Sequence, residues 1–487
     1  MRKQKQIVTL LLAAQLLALA SCGGETVETQ GSVQSDTSTP TVGTEETEPQ
    51  PDLPDVTFGG AEYTVYRWSN ADNVDLHTHF EYDAEELTGE LLNDAIYNRN
   101  QVIEEQYDVT ISVLGDWEPS ARLKTDVTAG DTPYQVISDW PTRLANLSTQ
   151  GMLRNFYDIP YVDTTKPWWD KNTVEAFTIA GKQYVITGDY VLYDKQRVLV
   201  FFFNHTLSDT LGIPDPYTTV NEGKWTMDLL NEYAELARQD LNGDGKMDPR
   251  DDQYGMISGS KTYMPYLLFG GGCRYSEAQP DGTFELVIDD EHTIDIISKL
   301  NLTFGTDNTH YHEDNKGVAV TEKFESGTGL FYHEVSQVTR LLDMEDDYGI
   351  LPQPKYDENQ ENYLSCVQYE YSAAIGVPAT IDGDELEMTG VLLEALSALS
   401  HTTTYPTFIE DILQSKNAPD KESADMLRLI YANLTYDLFG VFQFGSIDSL
   451  VYNNIYDKKG EGFTSTIASN KEKILAAYEK VYEAYTE

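Results

Sequence analysis

Hydrophobic segments of two periods alternate along the first half of the chain. Short apolar runs that predict strands are "YTVYRW" (63–68), "DVTISV" (108–113), "YQVISDW" (134–140), "QYVITGDYV" (183–191) and "RVLVFFFN" (197–204). Segments with apolar residues at helical spacing predict helices over 88–107, 119–129 and 225–239. An alternation of strands and helices favours an α/β fold with parallel strand pairs.

The second half of the chain is richer in helical patterns. "GTGLFY" (327–332) and "YSAAIGVPA" (371–379) have strand-like composition, and the chain from Ile381 onward is mostly helical in pattern. No segment repeats at a fixed period, which argues against a solenoid or a propeller.

The N-terminal residues have the pattern of an export signal. Basic residues at positions 2, 3 and 5 precede a largely apolar run, 7–19, which is too short to span a bilayer. We therefore expect 1–21 to be a signal peptide. Leu19-Ala20-Ser21-Cys22 is similar to a bacterial lipobox, which predicts lipidation of Cys22 and anchoring to the outer face of the cytoplasmic membrane. The alternative is an ordinary signal peptide with an incidental cysteine.

Residues 22–57 form a second region of distinct composition. After Cys22 they contain no Lys, Arg or aromatic residue and are rich in Thr, Glu, Ser, Gly and Pro. Such a segment cannot bury enough apolar surface to fold, so it predicts a flexible tether. The remaining 58–487 is long enough to favour two lobes over a single core.

The charge of the chain excludes one class of partner. The formal net charge is −48, from 81 acidic and 33 basic residues, so the protein repels nucleic acid. Besides Cys22, only Cys273 and Cys366 are present. They allow one disulfide but no disulfide framework.

"DLNGDGKMDPRDD" (240–252) has the spacing of a calcium-binding loop. The predicted ligands are the oxygens of Asp240, Asn242, Asp244, Lys246 (through its carbonyl), Asp248 and Asp251. The chain enters the loop from a predicted helix but leaves it in a strand-like segment, "QYGMIS", so no second helix is present to move. We therefore expect a structural calcium ion and not a sensor. The alternative is a solvated, Asp-rich turn without an ion.

Other motifs with catalytic or metal-binding spacing are weak. His77 and His79, and likewise His310 and His312, form His-x-His pairs without an obvious third ligand, so surface histidines are the favoured interpretation. The sequence contains no HExxH, GxSxG or P-loop motif.

Several segments spread over the folded part resemble a known family. They are "GELLNDAIYNRNQVIEEQYDV", "KPWWDKNTVEAFTIAGKQYVITGD", "GKWTMDLL", "YGILPQPKYDENQENY" and "YDLF". With the lipobox and tether, the chain resembles the extracellular solute-binding lipoproteins of bacterial ABC importers, of the sugar-binding, family 1-like type. The resemblance implies a monomeric binding protein, not an enzyme, that delivers a carbohydrate to a membrane permease and its ATPase.

The resemblance also implies a type II periplasmic-binding-protein-like fold, with two α/β lobes joined by a hinge. We expect 58–198 plus 318–375 in lobe 1 and 199–317 plus 376–487 in lobe 2. Since ligands of open α/β sheets bind at the carboxyl ends of strands, the loops there supply the candidate contacts. These are Asp139, Trp140, Arg143, Asp189, Tyr190, Ser260, Tyr263, Tyr332, His333, Tyr369 and Tyr371.

The ligand expected at these residues is an oligosaccharide. Aromatic rings stack on the apolar faces of sugars while charged and amide groups bind their hydroxyls, and the chain has 32 Tyr and 6 Trp. Two alternatives remain open at this point, namely an extracellular glycoside-active enzyme and a peptide-binding importer component.

Overall fold

Two separate β-sheets organise the folded part of the chain. The computed structural model describes residues 49–70, 78–306, 309–312, 317–337, 341, 344–414 and 420–487, without the side chains of 412–414. The signal peptide, Cys22, most of the tether and His77 lie outside the described residues. We call the two sheets sheet 1 and sheet 2.

Sheet 1 has four strands in the order β12-β3-β1-β2. The strands are β1 (Ala61–Trp68), β2 (Val109–Asp116), β3 (Val136–Asp139) and β12 (Ala374–Gly376). β1 runs parallel to β2 and β3, and β12 runs antiparallel to β3. The ends of β1, β2 and β3 and the start of β12 therefore meet at one edge, the carboxyl edge of sheet 1.

Sheet 2 has five strands in the order β10-β4-β9-β5-β8. They are β4 (Leu199–Asn204), β5 (Tyr254–Ser258), β8 (His310–His312), β9 (Gly329–Val335) and β10 (Tyr348–Leu351). β4 is antiparallel to β9 and β10, and β5 is parallel to β9 and β8. All of β4 is buried, which explains its continuous apolar sequence.

Helices cover both sheets. They are α1 (Leu91–Tyr107), α2 (Pro119–Ala129), α3 (Pro141–Ser148), α4 (Lys171–Phe177), α5 (Tyr193–Gln196), α6 (His205–Leu211), α7 (Pro216–Asn221), α8 (Met227–Ala237), α9 (Met264–Gly270), α10 (Glu291–Phe304), α11 (Val320–Glu325), α12 (Gly383–Thr402), α13 (Thr404–Gln414), α14 (Lys421–Tyr431), α15 (Leu438–Val441), α16 (Ile447–Lys458) and α17 (Phe463–Thr486). Short 3-10 turns occur at Phe156–Asp158, Lys261–Tyr263 and Phe444–Ser446. Two small ribbons pair β6 (Ser276–Ala278) with β7 (Phe284–Leu286) and β11 (Ser365–Cys366) with β13 (Leu434–Thr435).

The helices predicted over the first half of the chain are present with similar bounds. α8 begins after Thr226, whose hydroxyl accepts a hydrogen bond from the Leu229 N–H at 3.4 Å, with Asp228 in the first turn. α2 has Pro119 at its start and ends at Gly130, whose φ of +74° suits glycine.

The segment 183–191 differs from its prediction as a strand. It forms only isolated bridges, from Ile186 to Ile375 and from Gly188 to Trp169. A Cβ at Gly188 would lie 2.3 Å from the Trp168 carbonyl oxygen, so the backbones approach too closely there for any other residue.

The expected division of the chain between the lobes needs correction. β9 and β10, within 318–375, belong to sheet 2, because they supply the antiparallel partners of β4. Conversely, α12 packs on the lobe of sheet 1, where Arg99 of α1 donates to the Ser400 hydroxyl at 3.2 Å. Hydrophobic periodicity predicts a strand but not the sheet that it joins, and this is why the boundaries were wrong.

Two further findings concern the cysteines and membrane spans. Cys273 and Cys366 are buried, free thiols, and burial raises the pKa of Cys273 to about 12. Among the described residues, no helix is both long and apolar enough to cross a bilayer.

Candidate functional site

Four aromatic rings line the carboxyl edge of sheet 1. Trp68 ends β1, Trp117 follows β2, Trp140 follows β3, and Tyr371 comes shortly before β12. Their ring centres lie 5.2 Å apart for Trp68 and Trp117, 5.8 Å for Trp68 and Trp140, and 4.5 Å for Trp140 and Tyr371. We call these four residues the aromatic edge. It contains two predicted residues, Trp140 and Tyr371, and two that the sequence reading missed.

Arg143 and Asp139 hold Trp140 in place. Trp140 is the N-cap residue of α3, so Arg143 lies one turn along the helix, with its guanidinium 3.6 Å from the centre of the Trp140 ring. Asp139 is buried and accepts hydrogen bonds from the Ser120 N–H (3.1 Å) and hydroxyl (2.5 Å) and the Trp140 N–H (2.8 Å). Burial raises the pKa of Asp139, and Arg143, 3.4 Å away, opposes that shift.

Tyr371 connects the aromatic edge to the segments that cross between the lobes. The Arg197 guanidinium carbon lies 6.0 Å from the Tyr371 ring centre. Arg197 itself is buried and donates to the side-chain oxygens of Gln337 (3.4 Å) and Gln368. It therefore ties together the start of β4, the chain after β9 and the chain after β11. The sequence did not predict these hinge residues because they are isolated polar residues that belong to no recognisable motif.

The lobe of sheet 2 contributes a buried carboxylate at the end of β9. Glu334 accepts hydrogen bonds from the Tyr263 hydroxyl at 2.9 Å and the Tyr332 hydroxyl at 3.0 Å. Gly259 allows this arrangement, since a Cβ there would lie 2.0 Å from a Glu334 carboxylate oxygen. Predicted Ser260 lies beside this cluster, where its hydroxyl accepts from the Thr262 N–H at 3.2 Å. Glu334 was not predicted.

Five predicted contacts are buried inside the lobes and are not open to a ligand in this structure: Asp139, Tyr190, Tyr332, His333 and Tyr369 are each no more than 1% exposed. Tyr190 packs under the Arg99 guanidinium at 4.9 Å, and the Tyr369 hydroxyl donates to Asp448 at 3.1 Å. Side chains alternate between the two faces of a strand, and strand position alone does not show which face is buried.

His333 shows the consequence of this burial most clearly. Its Nε2 lies 2.8 Å from the Gln353 amide nitrogen, and its ring lies 4.9 Å from that of Phe201. Burial lowers the pKa of His333 to about 3, so the side chain is neutral at physiological pH.

Asp189 lies apart from the aromatic edge. Its carboxylate is 2.5 Å from His401 Nδ1. It lines a cavity of about 630 Å³ together with Lys195, Trp169, Tyr405 and Tyr431. Lys195 is buried and pairs with Asp194 at 2.9 Å. We expected Asp189 and Trp140 to share one site, but none of the four residues of the aromatic edge lines this cavity.

The predicted calcium loop is closed by its own backbone amides. The Asp240 carboxylate accepts hydrogen bonds from the N–H groups of Gly243 (2.6 Å) and Gly245 (2.7 Å). Asn242 and Asp244 each accept from the N–H two residues further on, at 2.9 and 2.8 Å, the second of these being Lys246. This is a run of Asx turns, which orders the loop.

The end of the loop differs from the expected pattern. Asp248 pairs with Arg250 at 3.0 Å, and Asp251 is exposed. Buried Asp252 instead closes the loop by accepting from the N–H groups of Leu241 (2.9 Å) and Asp248 (2.8 Å). Within the described ranges, no three His, Cys, Asp or Glu side chains form a group that could hold a metal ion. Calcium binding stays a prediction.

Comparison with known proteins concerns the fold. No protein-family model and no curated protein matches the chain. Solved structures do. A cyclo/maltodextrin-binding protein complexed with maltotetraose is 16% identical, with a TM-score of 0.54 over 87% of this chain and 97% of that one. A sugar transporter from Rhizobium etli in an open conformation is 13% identical, with a TM-score of 0.55 over 87% of this chain and 99% of that one.

A third structure binds a different ligand. UgpB from Mycobacterium tuberculosis, in complex with glycerophosphocholine, is 13% identical, with a TM-score of 0.54 over 87% of this chain and 99% of that one. Identities this low establish the fold alone. The chain therefore has the two-lobe α/β fold of these binding and transport proteins, which confirms the fold that the resemblance to solute-binding proteins implies.

Proposed function

We propose that the protein captures a carbohydrate between its two lobes and delivers it, unchanged, to an ABC permease and its ATPase. The observation that carries this proposal is the aromatic edge. Flat rings at the carboxyl ends of parallel strands, beside Arg143, offer both the stacking surface and the charged donor that a sugar requires.

The fold by itself does not choose the ligand. Two of the similar structures are a cyclo/maltodextrin-binding protein and a sugar transporter, whereas the third holds glycerophosphocholine. The argument for a carbohydrate therefore rests on the side chains at the edge of sheet 1. A quaternary ammonium group also binds to aromatic rings, but the Arg143 guanidinium already covers the Trp140 ring and repels a second cation there.

The hinge supplies the second part of the proposed mechanism. Arg197 links the crossing segments and lies beside Tyr371, so a ligand on the aromatic edge sits next to the point about which the lobes move. Closure then adds contacts from the lobe of sheet 2, near Tyr263 and Ser260. A ligand that makes these additional contacts only in the closed form shifts the population toward it.

The enzymatic alternative requires a pair of reactive carboxyl groups across the bound sugar. Asp139 and Glu334 are two carboxylates at or near the ends of β3 and β9. Each is buried and already accepts hydrogen bonds from neighbouring side chains. This arrangement disfavours these two groups as the reactive pair of a hydrolase. A peptide ligand is the other alternative, and it is separated by the experiment below.

Titration calorimetry of the protein without its first 48 residues, against panels of oligosaccharides and of short peptides, tests the proposal. We expect saturable binding of at least one oligosaccharide, recovered uncleaved by chromatography after incubation. Binding of peptides alone would overturn the carbohydrate proposal. Release of shorter sugars would establish an enzyme instead.

We further propose where the protein is anchored in the cell and which metal ion it binds. Cys22 carries the lipid that holds the protein at the outer face of the cytoplasmic membrane, with 22–57 as the tether, and the protein acts there as a monomer. The 240–252 loop binds one calcium ion that stabilises the lobe of sheet 2. The lipobox-like sequence supports the first proposal, and the ordered Asx turns of the loop support the second.

A further inference from the structure

The rings of the aromatic edge follow the order of the strands that carry them. The strand order is β12-β3-β1-β2, and the ring order is Tyr371, Trp140, Trp68 and Trp117. Each strand contributes one ring. The ring-to-ring distances of 4.5, 5.8 and 5.2 Å are close to the separation of neighbouring strands, about 4.8 Å. The row thus spans three strand intervals, roughly 14 Å.

Only the two ends of this row are open. Tyr371 is 43% exposed and Trp117 is 51% exposed, whereas Trp68 between them is 2% exposed. Trp140 is partly buried, and the Arg143 guanidinium covers its ring at 3.6 Å while Tyr371 packs against it. The middle of the row therefore supports the ends, and the free ring surface lies at Tyr371 and Trp117.

The backbone at Tyr371 points to a role beyond folding. Its φ of +82° lies in the left-handed region, which a tyrosine adopts at an energetic cost. Burial of the ring does not offset this cost, since the ring is exposed. Contacts with Trp140 and Arg197 nevertheless hold the ring at the end of the row. Strain retained at an exposed aromatic residue is typical of a binding position.

We propose that Trp117 and Tyr371 are two separate stacking positions and that the ligand is an extended oligosaccharide long enough to reach both. Trp140 and Trp68 act as positioning residues, and Arg143 both covers the Trp140 ring and remains the charged donor of the proposed site. This inference rests on the proposed function and deepens it, since it assigns the length of the ligand. A disaccharide covers one of the two rings, and a longer chain covers both.

The test is the dependence of affinity on ligand length. Calorimetry compares the wild type with Trp117→Ala and Tyr371→Ala, using linear malto-, cello- and xylo-oligosaccharides from disaccharide to hexasaccharide. In the wild type, we expect affinity to rise with length until both rings are reached. Each substitution should abolish this rise and weaken binding of the longest ligands by about tenfold or more. Tyr371→Phe keeps the ring and should retain the rise.

Tyr161→Ala is the matched control. Tyr161 is also an exposed tyrosine with a positive φ, of +67°, but its hydroxyl contacts Glu387 and it lies outside the aromatic edge. It should leave the length dependence unchanged.

Two contrary results have different meanings. If the wild type binds none of these sugars, the proposed function fails, and this inference fails with it. The wild type could instead bind sugars while the Ala variants lower the affinity equally for every ligand length, or leave it unchanged. In that case only the proposal of two separate stacking positions is wrong.

Discussion

The guanidinium carbon of Arg143 lies 3.6 Å from the centre of the Trp140 ring. The same guanidinium is 3.4 Å from the Asp139 carboxylate, which is fully buried. One side chain therefore covers the aromatic ring and provides the counter-charge of a buried acid. This connects the stability of α3 to the geometry of the aromatic edge.

Replacing Arg143 with Ala should lower the free energy of unfolding by about 1–3 kcal/mol, because Asp139 would keep its buried charge without a cationic partner. Arg143→Lys keeps the charge but not the planar stacking, and it should be intermediate. Urea unfolding followed by circular dichroism measures the difference.

The control for this prediction is Arg122→Ala. Arg122 and Asp126 form an i,i+4 pair in the opposite order at 2.8 Å on α2. The Asp126 side chain is 9% exposed, but the Arg122 side chain is 56% exposed, against 24% for Arg143. Solvent screens a pair whose cation is half exposed, so the loss at Arg122 should be smaller than that at Arg143. Equal losses at the two positions would show that the Asp139 charge needs no partner.

The parts of this site that the sequence predicts are those that follow directly from a strand end. Trp140 was found because it ends the strand-like segment 134–140, one residue after β3 ends at Asp139. Trp117 was missed because β2 runs to Asp116, three residues beyond the predicted strand, and two of these three are Gly115 and Asp116, which are unusual in strands. Trp68 is the last residue of the predicted strand 63–68, but it was not predicted to contact a ligand or to be part of a row of rings.

Tertiary pairing accounts for the remaining differences. Whether β9 belongs to sheet 1 or sheet 2 depends on its pairing with β4, which joins residues more than 120 positions apart in the sequence. In the same way, Asp189 follows an apolar segment, but its partner His401 comes from α12. No local pattern encodes contacts of this kind.

His333 should make the protein less stable in acid. Its folded-state pKa of about 3 lies below the usual 6.5, so between these values the unfolded state binds more protons than the folded state. The stability contribution of neutral His333 is complete above pH 6.5 and is lost as the pH falls toward 3. The His333→Gln variant has no ionisable group at this position, so the contribution of this side chain to stability should not change with pH. Denaturant midpoints of the two proteins, measured across this range, should therefore converge on acidification; a constant difference would contradict the burial of a neutral imidazole.

Calcium should stabilise the fold through the 240–252 loop. An ion that binds only the native state adds about 2.7 kcal/mol at a concentration 100 times its dissociation constant, so the melting temperature should rise with added calcium and fall with a chelator. Asp240→Ala should remove this response. Asp281→Ala is the control, since Asp281 accepts from the Thr283 N–H at 3.0 Å in an exposed turn of similar kind outside the loop. A chelator effect of the same size in both variants would place the ion elsewhere or exclude it.

Lipidation of Cys22 predicts the location of the full-length protein. Cys22→Ala should move the protein from the detergent-soluble membrane fraction to the soluble or unprocessed pool, because the variant lacks the thiol that carries the lipid. Cell fractionation followed by immunoblotting measures this. Membrane association that is unchanged in the variant would mean that another part of the chain provides the anchor.

Trp140→Ala should weaken sugar binding by roughly 10- to 100-fold, as expected for the loss of a central aromatic residue. Trp140 contacts Trp68, Tyr371 and Arg143, so its removal disturbs both the centre of the aromatic edge and the ring at its end. Unlike the loss of Trp117, this should affect short and long ligands alike. Trp140→Phe should retain most of the affinity because it keeps an aromatic ring in the row.

Asp189→Asn distinguishes the aromatic edge from the cavity that Asp189 lines. Asp189 contacts His401 and lines the cavity with Lys195, so its neutralisation should leave the affinity for the sugar within about twofold of the wild type. Calorimetry with one saccharide, together with melting curves and the calcium response of each variant, distinguishes loss of the site from loss of the fold. If Trp140→Ala binds as well as the wild type while Asp189→Asn does not, the ligand occupies the Asp189 cavity, and the aromatic edge is not the binding site.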